Sequence, residues 1–535
     1  PIRWIVALYG PGVVPLEIAG VRSGNVTKGH RFLGADAVIE EPSSYPDVLR
    51  GQHVIADAEE RKAAILAGIE RLSRERGWRI EVREDLLEEV LFLVEWPTVL
   101  AGSFDPEFLR IPQEVLITSM REHQRYFPVF DEAGRLLPHF VTVRNGDDTS
   151  LDVVRRGNEK VLRARLADAR FFYEEDLKLS ISDALAQLER VVYHEELGTM
   201  GDKVRRVRRI AGRLAERLAL DAQTAADVNR AAEICKFDLV TQMVYEFPEL
   251  QGIMGEDYAR HAGERETVAR AVNEHYAPRH AGDRPPASAV GAVVGIADKI
   301  DTIVGCFSIG IVPTGSQDPY ALRRQAAGIV STLLAHGFEL RLDELFRLAL
   351  ETHRERGLKR SEEEIERDLR EFFGLRVRNV LAESGTRHDV IEAVLAAGAD
   401  DVRRTLSRAK VLQDAVSESR REQFRPTADA LVRVCNLAVK ADSRDVDERL
   451  FSTEAERTLH GAWRQARVRY EEAVLGDRME EALAALASMR DAINGFFDAV
   501  LVMVDDEAVR RNRLALLASI ADDIRSFADF SRLVI

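Results

Sequence analysis

From Leu151 onward, apolar residues recur every three or four positions, the spacing that puts them on one face of an α-helix. Val204, Val207, Ile210, Ala211, Leu214 and Leu218 form one such stripe, and Arg205, Arg206, Arg208, Arg209 and Arg213 form the opposite, basic side. Residues 339–425 continue in charged helical style, and residues 426–535 contain only Pro426, which suits a helix start. The last helix is expected to bury Leu514, Leu517, Ile520, Ile524 and Phe527. Residues 1–150 read differently. Ile2 to Tyr9 predicts a strand broken at Gly10-Pro11-Gly12. Asp57 and Glu60 have capping-box spacing and open a helix carrying Ile65, Leu66, Ile69 and Leu72, which ends near Gly77. Val90–Val94 and Thr98–Leu100 predict strands around Pro97. Glu114–Ser119 and His139–Val143 predict two more, the second closed by Asn145-Gly146. The fold class that emerges is multidomain and predominantly α, with an N-terminal α/β region.

Composition narrows the picture. A chain of 535 residues is long enough for several domains, and 46 % hydrophobic content fills their cores. No apolar run reaches the ~18 residues of a membrane helix, and no secretory leader is visible. The chain opens on Pro1 instead of Met, which reads as a truncated or processed end. Cys235, Cys306 and Cys435 are too far apart for a zinc ribbon or a redox pair and are expected to be small buried residues in a reducing cytoplasm. With 75 basic against 90 acidic residues the net charge is −15, which argues against a nucleic-acid partner. That figure is a whole-chain sum, however, whereas binding depends on local fields. Only 10 of the 75 basic residues are Lys, leaving 65 Arg, whose paired donors suit phosphate and carboxylate.

Recognisable catalytic motifs are absent: no P-loop, no GxGxxG after a strand, no HExxH, no GxSxG, and no class I or class II synthetase nucleotide motif. One constellation remains. His194, Asp238 and Asp298 lie in that order within a helical block, which resembles the HD phosphohydrolases, whose His and Asp side chains gather divalent metal. The central His-Asp doublet is replaced by Phe237-Asp238, which removes a ligand and predicts a degenerate, structural site. His388-Asp389 is a true doublet outside the block, and His275 reads as a hydrogen-bonded structural residue. Two loops, Ser23–Phe32 and Ser119–Phe127, mix aromatics with Arg and His in a way that suits either RNA contact or polar packing.

Longer motifs carry more information. They are GNEKVLRARLADARFF from Gly157 to Phe172, EFPELQG from Glu246 to Gly252, ADKIDTI from Ala297 to Ile303, and PTGSQDPYALRRQ from Pro313 to Gln325. With GHRFL at Gly29–Leu33, HQRYFPVF at His123–Phe130, NRLALL at Asn512–Leu517 and ADFS at Ala528–Ser531, these closely resemble the beta subunit of bacterial heterotetrameric glycyl-tRNA synthetase. The resemblance implies a cytoplasmic, non-membrane chain with no catalytic residues of its own, which positions tRNA-Gly. A catalytic alpha subunit in an alpha2beta2 assembly would use ATP and Mg to charge it. No cofactor or metal is expected on this chain. The family's additional N-terminal segment is missing here. The implied modules are an α/β region like part of the phenylalanyl-tRNA synthetase beta chain (1–178), an HD-like helical domain (179–312), a helical linker that binds the tRNA body (313–425), and a domain like the anticodon-binding domain of arginyl-tRNA synthetase (426–535). Arg433, Arg510, Arg511 and Arg513 are the expected tRNA contacts. The alternatives are a metal phosphohydrolase built on His194, Asp238 and Asp298, or a scaffold that only assembles the alpha subunits.

Overall fold

A computed structural model of the chain describes residues 2–535 in two units. Asp238–His261 groups with the residues up to Ser180, and Ile181–Phe237 groups with Ala262–Ile535.

In the first unit, the segment Ile2–Tyr9 forms two short strands, not one. Ile5–Val6 pairs with Ser23-Gly24, and Leu8–Tyr9 turns through Gly10 onto Gly12–Val13. Helix α1 (Ala58–Arg76) starts where the Asp57 carboxylate accepts the Glu60 N–H and stops at Gly77, which is left-handed at φ +65°. Behind it stands an antiparallel sheet of β1 (Arg79–Ile80), β2 (Pro97–Ser103), β3 (Phe127–Phe130) and β4 (Leu136–Asn145) in the order β1-β3-β4-β2. Ile65 and Ile69 of α1 pack with Val99, Phe127, Val129 and Val141 in its core.

Three expectations for this unit need correction. Val90–Val94 is not a strand: helix α2 (Glu84–Leu93) runs through it, with Glu84 and Asp85 in the first turn and Leu86, Leu87, Val90 and Leu91 buried at helical spacing. The window that suggested a strand began after half of that stripe. Glu114–Ser119 is likewise helical, as α3 (Gln113–Thr118), with Val115 and Leu116 inside. Asn145-Gly146 ends β4 without making a hairpin. The Asn145 side-chain oxygen accepts the Glu95 and Trp96 N–H groups at 2.9 and 3.1 Å, and the chain continues into α4 (Leu151–Asp176).

The second unit is helical. Its α5 (Met200–Arg217) and α6 (Ala222–Ile234) pack on α7 (Ala289–Ser308), in which every residue from Val290 to Ser308 is buried. A helix buried on every side belongs in the middle of a bundle. Helix α8 (Leu342–Arg354) also packs on α7. Further on come α9 (Arg421–Ala438), α10 (Glu454–Leu475), α11 (Arg490–Ala499) and α12 (Glu507–Phe527). Pro426 sits more than one turn inside α9, not at its start. The expected stripe of α12 is buried from Leu514 to Phe527. No disulfide joins Cys235, Cys306 and Cys435; the first two are buried and the third half-buried, and burial pushes the Cys306 thiol up to about 12.

The sheet leaves no room at Gly102, which faces Phe140 in register; an added Cβ would lie 2.3 Å from its Cζ. Gly102→Ala is expected to cost about 1–3 kcal/mol by overpacking, read as a lower urea midpoint.

Candidate functional site

Helix α7 presents Asp298 and Asp301, one turn apart, to the cations of its neighbours. Lys203 of α5 reaches both, with Nζ 3.1 Å from Asp298 Oδ1 and 3.1 Å from Asp301 Oδ2. Arg206, one turn further on α5, donates from Nε to Asp301 Oδ1 at 2.6 Å and from Nη1 to the Leu197 carbonyl at 3.1 Å. Lys236 lies 2.9 Å from Asp298 Oδ2 and 2.9 Å from His275 Nε2. On the far side, His353 Nε2 of α8 is 3.1 Å from Asp301 Oδ1. Arg206 was expected on the exposed basic side of its helix. It is buried because its position turns it toward Asp301.

Burial opposes charge on these carboxylates, but the cations prevail. Lys203 and Lys236 hold Asp298 well below the usual carboxylate range. Lys203, the His353 hydrogen bond and Arg206 do the same for Asp301. Burial alone would lower the Lys203 ammonium, and Asp298 and Asp301 reverse the direction. Lys299, which donates to the His275 and Ala277 carbonyls at 2.8 Å each, is pushed by burial down to about 8. Burial and Lys236 keep His275 neutral, with Nδ1 on the Val272 carbonyl at 2.7 Å.

The three HD-like residues, expected to be a degenerate set, are engaged with protein groups. The His194 ring accepts the Glu196 N–H at 3.1 Å. Asp238 belongs to the first unit, where its Oδ2 accepts the Gly252 and Gly255 N–H groups at 2.6 and 3.1 Å. Asp298 is neutralised by lysines. Among the described residues, no group of three or more His, Cys, Asp or Glu side chains is placed to hold a metal ion. His388 is exposed, and Asp389 pairs with Arg387.

Both mixed loops lie in the first unit; Ser119–Phe127 is largely packed, whereas in Ser23–Phe32 Val26, Lys28, Arg31 and Phe32 are exposed. His30 is buried against Asn145. Tyr126 stacks on Phe140 at 4.5 Å between ring centroids, His123 stacks on Phe247, and Arg121 and Arg125 pair with Glu81 and Glu89. The basic face of α5 is also matched by acid: Arg205 by Glu189 and Asp202, Arg208 by Glu233, Arg209 by Glu355 and Arg213 by Glu351.

The four arginines of the last helices differ in placement. Arg433 is exposed, with its guanidinium 4.3 Å over the Phe497 ring. Arg511 is exposed and pairs with Asp442 at 3.0 Å. Arg510 is half-buried and donates to the Val504 carbonyl at 2.8 Å. Arg513 is committed inside the domain. It donates to the buried Glu456 at 2.8 Å, to Ser452 Oγ at 2.8 Å and to the Leu501 carbonyl at 2.9 Å. Glu456 in turn closes a capping box with Thr453 at the start of α10, and Asn512 clasps Asp447 through both its backbone N–H and its carbonyl. Arg513 therefore braces α12 to α10, with all three of its guanidinium nitrogens engaged.

Removing one member of the α7 cluster strands the others. Asp301→Asn is expected to cost about 3–5 kcal/mol at pH 7. Asp298 and Asp301 have folded pKa values below the unfolded value of about 3.9, so their contribution is complete above about pH 4 and is lost as pH falls further. Thermal melts from neutral to acid pH should show a steep loss below about pH 4 in the parent chain and a flatter profile in Asp301→Asn.

Comparison with known proteins agrees with this layout. Residues 1–396 match the family model of the glycyl-tRNA synthetase beta subunit, and residues 428–528, covering most of α9 through α12, match the DALR anticodon binding domain. The glycine–tRNA ligase beta subunit of Halalkalibacterium halodurans is 51% identical over 536 residues, spanning all of this chain and 77% of its relative. That of Bacillus subtilis is 50% identical over 535 residues with the same coverage, and that of Listeria monocytogenes is 44% identical. With a family model across most of its length and half its residues shared with such relatives, the chain belongs to the glycyl-tRNA synthetase beta subunit family.

Proposed function

We propose that this chain is the tRNA-positioning subunit of glycine–tRNA ligase and leaves adenylate chemistry to an alpha subunit. The observation that carries the reading is the pairing of a beta-subunit family match with a C-terminal anticodon-binding domain. The absence of any recognisable ATP motif in the sequence supports the division of labour. The partners are tRNA-Gly and the alpha subunit in an alpha2beta2 assembly, with ATP and Mg used by the assembly, in the cytoplasm. No helix among the described residues is long and apolar enough to cross a membrane.

In this reading the modules are an α/β region over 1–178, an HD-like domain over 179–312, a linker over 313–425 and an anticodon-binding-like domain over 426–535. Asp238–His261 of the HD-like span groups with the first unit, and the lysine ammonium groups beside Asp298 and Asp301 speak for a structural role there. Arg433 and Arg511, with Arg510 beside them, are the phosphate contacts. Arg511 is 60% exposed on its side chain, and its ion pair with Asp442 is the kind that contributes little and exchanges readily.

The full chain should bind tRNA-Gly with a steep salt dependence, since each neutralised phosphate releases counterions. Arg433→Ala and Arg511→Ala should each weaken binding roughly 3- to 10-fold at low salt and flatten the log–log salt slope by about 0.7–0.9, with the melting temperature unchanged. Arg513→Ala should instead lower the melting temperature. Equal affinity at low and high salt would refute the electrostatic reading. Chelation with EDTA should leave the melting temperature of the chain alone unchanged; a drop would restore the metal-site alternative.

A further inference from the structure

At the N-terminal edge of the last helical domain, α9 and the turn into α11 border an open cavity of about 530 Å³. That volume is in the ~300–1,000 Å³ range of small-ligand sites. Arg420, Gln423, Phe424 and Thr427 line it from α9 and its first turn, and Ser488 and Arg490 line it from the other side. The lining combines three kinds of group. Phe424 is half-buried and supplies an aromatic ring, itself set 6.3 Å from the Phe530 ring. Gln423 is exposed, and its amide can donate and accept at once. Arg420 and Arg490 carry charge at the rim, each tethered by a neighbouring carboxylate, Asp414 and Asp491. Asp491 also lines the cavity, and Glu422 and Asp491 lie in the first turns of α9 and α11.

An apolar ring face beside an amide and guanidinium donors is how proteins hold a base splayed out of single-stranded RNA: stacking gives affinity, and polar groups read the base edge. A peptide side chain would need no such pairing, and a double helix could not enter a concave site. We propose that this cavity receives one unstacked nucleotide of a single-stranded tRNA loop, with its base against Phe424, its edge at Gln423 and its phosphate toward Arg420 and Arg490. The inference rests on the tRNA-binding reading and gives it a site that the phosphate-contacting arginines do not supply.

The test uses the full chain and tRNA-Gly, with affinity measured by fluorescence anisotropy at about 50 and 200 mM salt. Phe424→Leu keeps an apolar side chain but removes the stacking face. Gln423→Ala is on the surface, so it bears on the proposal even if the first variant folds poorly. Each is expected to weaken binding about tenfold, by the same factor at both salts, because stacking and edge contacts release few counterions. Crosslinks from 4-thiouridine placed in the tRNA loops should map to α9 near Gln423 and Phe424. Parent-like affinity in both variants, with Arg511→Ala still weakened, would overturn the cavity assignment alone. Failure of the parent chain to bind tRNA-Gly would overturn the tRNA-binding reading with it. Unchanged tRNA affinity with lost alpha-subunit binding would give the cavity to a protein partner and refute the nucleotide.

Discussion

The second unit depends on one electrostatic settlement: the two carboxylates of α7 are buried, and Lys203, Arg206 and Lys236 go into the interior with them. Isolated, each charge would cost several kcal/mol to bury. Together they hold one another, since Lys203 bridges Asp298 and Asp301 while Arg206 and Lys236 take the remaining oxygens. This allows a helix rich in Val, Ile, Ala and Gly to run buried through the unit while carrying Asp298, Lys299, Asp301 and Thr302. A cation between Asp298 and Asp301 would have to displace ammonium groups that already lie against them.

A second consequence concerns the net charge. Acid is in excess overall, yet much of it is spent on arginines within the helical unit, as along α5. Such faces are near-neutral, and on the proposed reading RNA recognition falls to a few exposed guanidinium groups and to the cavity beside Phe424. An acidic body with local basic points suits a protein that must bind one RNA class without sticking to all of them.

How much could be read from the sequence varied with the kind of signal. The helical stripes of α5 and α12 were legible because period and burial coincide, as Val207, Ile210 and Leu214 show. Strand against helix in short apolar runs was not: Val90–Val94 looks continuous only when Leu86 and Leu87 are ignored, and the deciding acidic first turn lies further upstream. His275 was correctly read as structural. Arg206 and Arg513 were not legible, because an arginine in a helix looks the same whether its carboxylate partner is distant in sequence or absent. Arg513 meets Glu456 across 57 positions and Arg206 meets Asp301 across 95, separations that no local pattern encodes. The cavity beside Phe424 was missed for the same reason, since Gln423 and Arg490 come together only through the packing of α9 near α11. The weak signal that could have suggested it is an aromatic flanked by Gln and Arg just ahead of Pro426.

The account thus gives this chain RNA recognition and a rigid helical frame, and gives the chemistry to its partner. Glycine-dependent ATP–pyrophosphate exchange, run on a preparation already shown to bind tRNA-Gly, tests that division most directly. The account predicts no exchange from this chain alone and exchange once the alpha subunit is added; exchange from the isolated chain would contradict it.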